Sequence, residues 1–257
     1  MTPLGSQKST VVLAILVLGA LLGCDPAGPD ARQEKKAPAA ASAKPASGAK
    51  FDFYLLAMTV HAAFCADGHQ RKAECRARGP RPLVIHGLWP ENLTPRTYPH
   101  DCPAPRLQLD PLLEQQLQEL MPGMADGLHE HEWHEHGGCS DLDDDLYFSR
   151  TLDLARELDA ALAAKLTTLA GRETSAAELR EIADLFRPGI GATFTLHCRT
   201  LRDYGSTPVL FELRQCVDND GSGGAPGTLL DCAGVKRRDQ GCGKSFLIAR
   251  TSGNEGR

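Results

Sequence analysis

The chain has no excess of positive charge: 28 Lys and Arg stand against 33 Asp and Glu in 257 residues, a formal net charge of −5. Tight, non-specific hold on nucleic acid comes from Lys and Arg displacing counterions from phosphates. The charge argues mildly against a protein built for that, and not against one that cuts a nucleic acid and lets go. Aromatic residues are scarce at 5%, so each Trp or Tyr beside a motif carries weight. No internal repeat is present, which removes solenoid and propeller architectures. Beyond residue 22 no apolar run approaches the roughly 20 residues that cross a bilayer. The zinc-protease pattern His-Glu-x-x-His is also missing, because His131-Glu132 is followed by Glu135 where the second His would stand. With 42% hydrophobic and 24% charged residues, the composition is globular and the length suits one domain with appendages.

Cysteine, by contrast, is plentiful at nine. The first of them closes a recognisable segment: Lys8, an apolar run Val11–Leu22, then Leu21-Leu22-Gly23-Cys24. Residues 1–23 read as a secretory signal, too short to span as a mature helix. Its ending reads as a bacterial lipobox, in which Cys24 becomes the lipidated first residue. The other cysteines, at 65, 75, 102, 139, 198, 216, 232 and 242, are even in number and suit disulfides in an oxidising compartment. Residues 24–50, rich in Ala, Pro, Lys and Ser, cannot bury enough apolar surface to offset their ordering entropy and read as a tether. The expected location is the periplasm or cell envelope of a bacterium, with the membrane held through the lipid on Cys24.

The domain proper spans residues 51–257. Phe51–Val60 and Pro82–Ile85 read as buried strands. Asp110-Pro111 opens a helix that ends at Pro122-Gly123. Leucines at 152, 154, 158, 162, 166 and 169 predict a long amphipathic helix over 147–170, with the acidic run Asp141–Asp145 as its cap. Ser175 and Glu178 form a capping box for another helix, closed by Pro188-Gly189. Thr193–Cys198, Val209–Cys216 and Ser245–Ala249 read as strands. Strands, helices and then strands, without βαβ alternation, predict α+β: a central antiparallel sheet flanked by helices in a single disulfide-bonded domain.

Five of the nine histidines fall in two segments, His86-Gly87-Leu88-Trp89-Pro90 and His129-Glu130-His131-Glu132-Trp133-His134-Glu135-His136-Gly137-Gly138-Cys139. On a helix His131, Glu132, Glu135 and His136 cluster within about one and a half turns. Two histidines with a carboxylate between them suit acid–base work, because imidazole titrates near neutral pH. A solvated, charge-rich helix and a zinc site are the competing readings. Trp89 and, more weakly, Tyr98 are candidates for stacking on a base; Trp133 reads as packing.

His-Gly-Leu-Trp-Pro (86–90) followed by His-Glu-Trp-x-x-His-Gly-x-Cys (131–139) resembles the two signature segments of the ribonuclease T2 family. Phe51–Cys65 and Cys242–Phe246 resemble its opening and closing segments. The resemblance implies an endoribonuclease that cleaves single-stranded RNA, with low base specificity, to 2′,3′-cyclic phosphate and then 3′-phosphate products. It implies His86, His131, Glu132 and His136 as catalytic residues, His136 the base and His86 the acid, with no metal and no cofactor. Trp89, Glu135 and Tyr98 fall at substrate-binding positions, and a monomer is expected. The implied disulfides are Cys65–Cys75, Cys102–Cys139, Cys198–Cys242 and Cys216–Cys232.

The chain departs from the family pattern in places. Glu135 stands where the family commonly has a Lys, which puts a repelling charge beside the phosphate; Arg78, Arg81, Arg96 or His134 are candidates to compensate. Thr59-Val60-His61 lacks the usual Trp, and Gly138 replaces a common Thr. The alternative function is therefore a catalytically impaired RNA-binding, or His-rich metal-binding, periplasmic lipoprotein.

Overall fold

The computed structural model of the chain describes residues 51–76, 81–94, 98–140, 142–219 and 227–250. The signal segment, Cys24, the tether, Arg78 and Arg96 lie outside the described residues. The first strand, β1 (Phe53–Val60), is buried along its whole length, and the rest of the sheet is laid around it. β1 pairs antiparallel with β2 (Leu83–Glu91) on one side and with β5 (Pro208–Asp218) on the other. β5 also pairs antiparallel with β4 (Phe194–Thr200) and parallel with the two-residue β6 (Phe246–Leu247), which pairs with β3 (Glu173–Thr174).

The fold is α+β, with one amendment: the sheet is mixed, not purely antiparallel. A parallel neighbour needs a crossover of a dozen or more residues, and the chain between Asp218 and Phe246 is long enough to supply it.

β1 reads as a continuous apolar run because both of its faces are covered. Side chains alternate between the faces of a strand. Tyr54, Leu56 and Met58 enter the main core with the long helix α5 (Asp144–Thr168), whose Leu152, Leu158, Leu162 and Leu166 are buried. Phe53 and Leu55 join Cys216 and Cys232 in a smaller cluster, against which Trp89 packs. α5 starts at Asp143, whose carboxylate accepts the Leu146 N–H. Asp144 and Asp145 reach outward instead and accept the backbone N–H groups of Gln108 and Asp110 at 2.8 and 2.7 Å. They thereby tie down the segment leading into α3 (Pro111–Leu120).

Two short helices, α1 (His61–Phe64) and α2 (Ala73–Arg76), follow β1. α4 (Leu128–Glu135) carries the second histidine segment, and α6 (Ala176–Phe186) is capped by Ser175. Disulfides join Cys65 to Cys75, Cys102 to Cys139, Cys198 to Cys242 and Cys216 to Cys232.

Candidate active site

The site begins with an irregularity in the sheet. β1 pairs Ala57 with Gly87 but Met58 with Ile85, so His86 is an extra residue without a partner in β1. Such a bulge bends a strand and re-aims a side chain. The strand, expected to stop at Ile85, runs on through the whole motif to Glu91. A second bulge leaves Phe211 over where β4 and β5 pair His197 with Glu212 and then Cys198 with Leu210.

Gly87 follows His86 because nothing larger fits. A Cβ there would stand 1.9 Å from Glu132 Oε2 and 2.7 Å from Trp89 Nε1. Through the space this glycine leaves, Trp89 Nε1 donates to Glu132 Oε2 at 2.9 Å, joining the two motifs. Glu132 is 1% exposed, and its other oxygen lies 3.8 Å from His86 Nε2. Burial, the leading influence, raises its carboxyl above the ordinary value, against the opposing pull of His86 and the Trp89 hydrogen bond.

Two further residues of the site come from β5. His86 Nδ1 donates to Glu212 Oε1 at 2.9 Å, and Arg214 Nε donates to Glu212 Oε2 at 2.6 Å. Burial pulls the Glu212 carboxyl upward, but the His86 hydrogen bond and the Arg214 charge overcome it and hold it at about 2. Burial likewise works against charge on His86. The Glu212 hydrogen bond and the charges of Glu132 and Glu212 prevail, and His86 is raised above the ordinary imidazole value. Neither β5 residue was singled out from sequence. The available signal was a Glu and an Arg two apart in an otherwise apolar strand, since charges in a covered strand need partners.

His136 lies just past the end of α4, in non-helical geometry (φ −124°, ψ −51°). Its ring centroid is 5.5 Å from that of Trp89, and the His86 ring is 5.1 Å from the same indole. Burial first, and then the charges of His131, His86 and His100, lower His136 to about 4. Two imidazoles beside one indole therefore hold protons with opposite strength.

The remaining candidates are placed as follows. His131 is exposed and borders, with His86, a cavity of about 430 Å³ that is also lined by Thr59, Lys72, Arg199 and Phe211. Arg199 lies over the Phe211 ring at 3.7 Å. Glu135 shares a side-chain hydrogen bond with Asp101, and Asp101 N donates to Glu135 O at 2.9 Å. Tyr98 is exposed against His100. Trp133 is fully buried, its Nε1 donating to Pro105 O. Arg81 pairs with Asp159 of α5 and His134 is exposed. Gly138 is more constrained than its sequence position implies, because a Cβ would meet Cys102 O at 2.6 Å. Among the described residues two groups could bring three metal-type ligand atoms together: His61 with the disulfide pair Cys65–Cys75, and His100 with Asp101 and Glu135. The run His129, His131, His134, His136 forms no such group.

Fold and site together define a disulfide-bonded α+β protein in which two histidines from separate segments meet one tryptophan. A model of the Ribonuclease T2 family matches residues 51–232, and the chain belongs to that family. It is 28% identical to Ribonuclease 1 of Arabidopsis thaliana over 204 residues, 72% of this chain and 82% of that protein. It is 27% identical to Ribonuclease MC of Momordica charantia, over 77% of this chain and all of that one. A solved structure of an RNase MC1 variant in complex with 5′-UMP superposes with a TM-score of 0.60 at 27% identity, covering 77% of this chain and 98% of its own.

Proposed function

We propose that the chain is an endoribonuclease that cleaves single-stranded RNA by transphosphorylation. The observation that carries this reading is the opposite proton affinity of His136 and His86 beside Trp89. His136, neutral above about pH 4, takes the proton of the ribose 2′-hydroxyl. The 2′-oxygen attacks phosphorus and a P–O bond forms. The bond to the 5′-oxygen breaks, and His86 Nε2 gives that oxygen its proton. A 2′,3′-cyclic phosphate and a 5′-hydroxyl result; in a slower second step water opens the ring with the two roles reversed. The substrate supplies its own nucleophile, so these steps need no metal, and DNA, which lacks the 2′-hydroxyl, does not react.

His131 holds the phosphate from the cavity side. Glu132 orients Trp89, whose indole N–H it accepts, and stands beside His86. Trp89 stacks on a base, and Tyr98 reaches one from the surface. The RNase MC1 variant solved in complex with 5′-UMP supports a nucleotide ligand for this chain. Glu135, held by Asp101, puts negative charge beside His136. A binding protein with lost catalysis is the second reading, favoured by that pair alone. The mature protein, on this proposal, is a monomeric bacterial lipoprotein anchored through Cys24 on the periplasmic side.

The test is cleavage of single-stranded RNA by the purified protein, with EDTA present. Cyclic-phosphate products that vanish with His86→Ala and His136→Ala support the proposal. Glu135→Lys should raise kcat/KM by about tenfold, as an added electrostatic donor does at such a site. RNA binding without cleavage, in both the parent and Glu135→Lys, would establish the second reading.

A further inference from the structure

The site is short of positive charge where the proposed chemistry needs it most. His86 faces two carboxylates, Glu212 at 2.9 Å and Glu132 at 3.8 Å, and His136 has Asp101 near it with Glu135 bonded to Asp101. A pentacoordinate phosphorus gathers further negative charge, and among these carboxylates it would be repelled unless a permanent cation faced it.

We propose that Arg214, on β5, is that cation: a catalytic residue that binds the transferring phosphoryl group and takes the part Glu135 cannot play from α4. The inference rests on the ribonuclease reading above.

Position is the first argument. The Arg214 guanidinium carbon lies 5.2 Å from the Trp89 ring centroid, the same ring that has His86 at 5.1 Å and His136 at 5.5 Å. Arg214 and His86 also share the Glu212 carboxylate, one oxygen each, so a phosphate met by His86 has the guanidinium beside it. Arg214 is also the cation whose field acts on His86. In register it stands opposite Ala57, whose partner on β2 is Gly87. The space over Gly87 in this row holds Glu132 Oε2 and Trp89 Nε1, so the row leads from the guanidinium to the hydrogen bond that joins the two motifs.

Orientation is the second. Glu212 takes Nε at 2.6 Å and so fixes the plane of the guanidinium. The two terminal nitrogens have no acceptor among the described residues, and the side chain is 27% exposed. A guanidinium held by one edge, with its other donors open, is pre-organised for bidentate contact with phosphate oxygens.

Four other cations each meet a carboxylate away from His86. Lys72 and Arg199 line the cavity and pair with Asp126 and Asp67 at 2.7 and 3.1 Å. Arg81 pairs with Asp159, and Arg237 with Glu91. Glu212 thus has two functions, one oxygen for the general acid and one for the phosphate cation.

The experiment compares Arg214→Gln, Glu212→Gln, the double variant and Arg214→Gln/Glu135→Lys. It measures kcat/KM on a dinucleotide and, separately, binding of inorganic phosphate followed by Trp fluorescence. Trp89 is the partly exposed member of the two Trp residues. We expect Arg214→Gln to lower kcat/KM by about 10²-fold, in the range for a lost electrostatic donor, and to weaken phosphate binding. Glu135→Lys should restore about tenfold in that background. Two kinetic outcomes overturn the proposal. One is an Arg214→Gln rate within a factor of three of the parent. The other is a loss that Glu212→Gln reproduces, that does not deepen in the double variant, and that Glu135→Lys does not relieve; Arg214 would then only position Glu212. If the parent cleaves no RNA, the ribonuclease reading fails by itself and the phosphate titration decides. Tighter binding by the parent than by Arg214→Gln upholds the phosphate site, and equal binding removes it.

Discussion

His86 and His136 are the same side chain placed in opposite surroundings. Burial leads for both. On His136 it acts with three neighbouring histidines and lowers the ring to about 4. On His86 the Glu212 hydrogen bond and two carboxylate charges overcome it. If His136 is the base and His86 the acid, kcat/KM rises with pH through about 4, as the base loses its proton. It falls again as pH rises through the His86 value, above the ordinary 6.5. Glu212→Gln removes the hydrogen-bonded charge and should move the alkaline limb to lower pH; a pH–rate profile in which that limb stays still would assign the shift elsewhere. Gly87→Ala tests the same neighbourhood by volume. Its Cβ would overlap Glu132 Oε2, and forced overpacking typically costs about 1–3 kcal/mol. The denaturation midpoint and the RNA-cleavage rate should fall together.

Among the elements, helices were legible where caps and periodicity agreed. The Asp110, Asp143 and Ser175 side chains each accept from their own helix's first turn. Asp143→Ala should cost about 1 kcal/mol, as caps do, read from thermal unfolding. β2 was less legible: Gly87 and Pro90 look like strand breakers, yet pairing with β1 carries the strand to Glu91. A glycine inside a strand does often mark a bulge, and here the bulge is what aims His86. α4 ends at Glu135, so His136 leaves the helical face on which periodicity would put it. The Cys102–Cys139 disulfide and the Asp101–Glu135 backbone bond hold the neighbouring loop against that end. Replacing both cysteines by Ser should cost about 2–4 kcal/mol. Activity should be lost at a lower denaturant concentration than far-UV circular dichroism, because the site-bearing end of α4 loosens before the sheet does.

For the molecule as a whole, the large displacements of groups that titrate on the acid side push stability the same way with pH. Glu212 at about 2 lies below the ordinary 4.5, so its contribution is present above 4.5 and lost as pH falls toward 2. His136 and His197, both at about 4 and led there by burial, resist a proton that the unfolded chain accepts. Stability therefore also falls as pH drops from 6.5 to 4. Glu132 and His86 are displaced upward and oppose this by smaller amounts. Denaturant unfolding should show a less stable protein at pH 4 than at pH 7; equal stabilities would mean these groups titrate alike folded and unfolded.

The sequence by itself determined the family, through two motifs whose spacing survives any reading of the fold. It also determined the helices, through local caps and period. Tertiary structure alone decided which strand bulges and that Glu212 and Arg214 stand beside His86. It decided, too, which imidazole holds its proton. The reason is physical: proton affinity depends on burial and on nearby charge. The carboxylate that matters most to His86 lies 126 residues further along the chain, at a distance only the folded sheet closes.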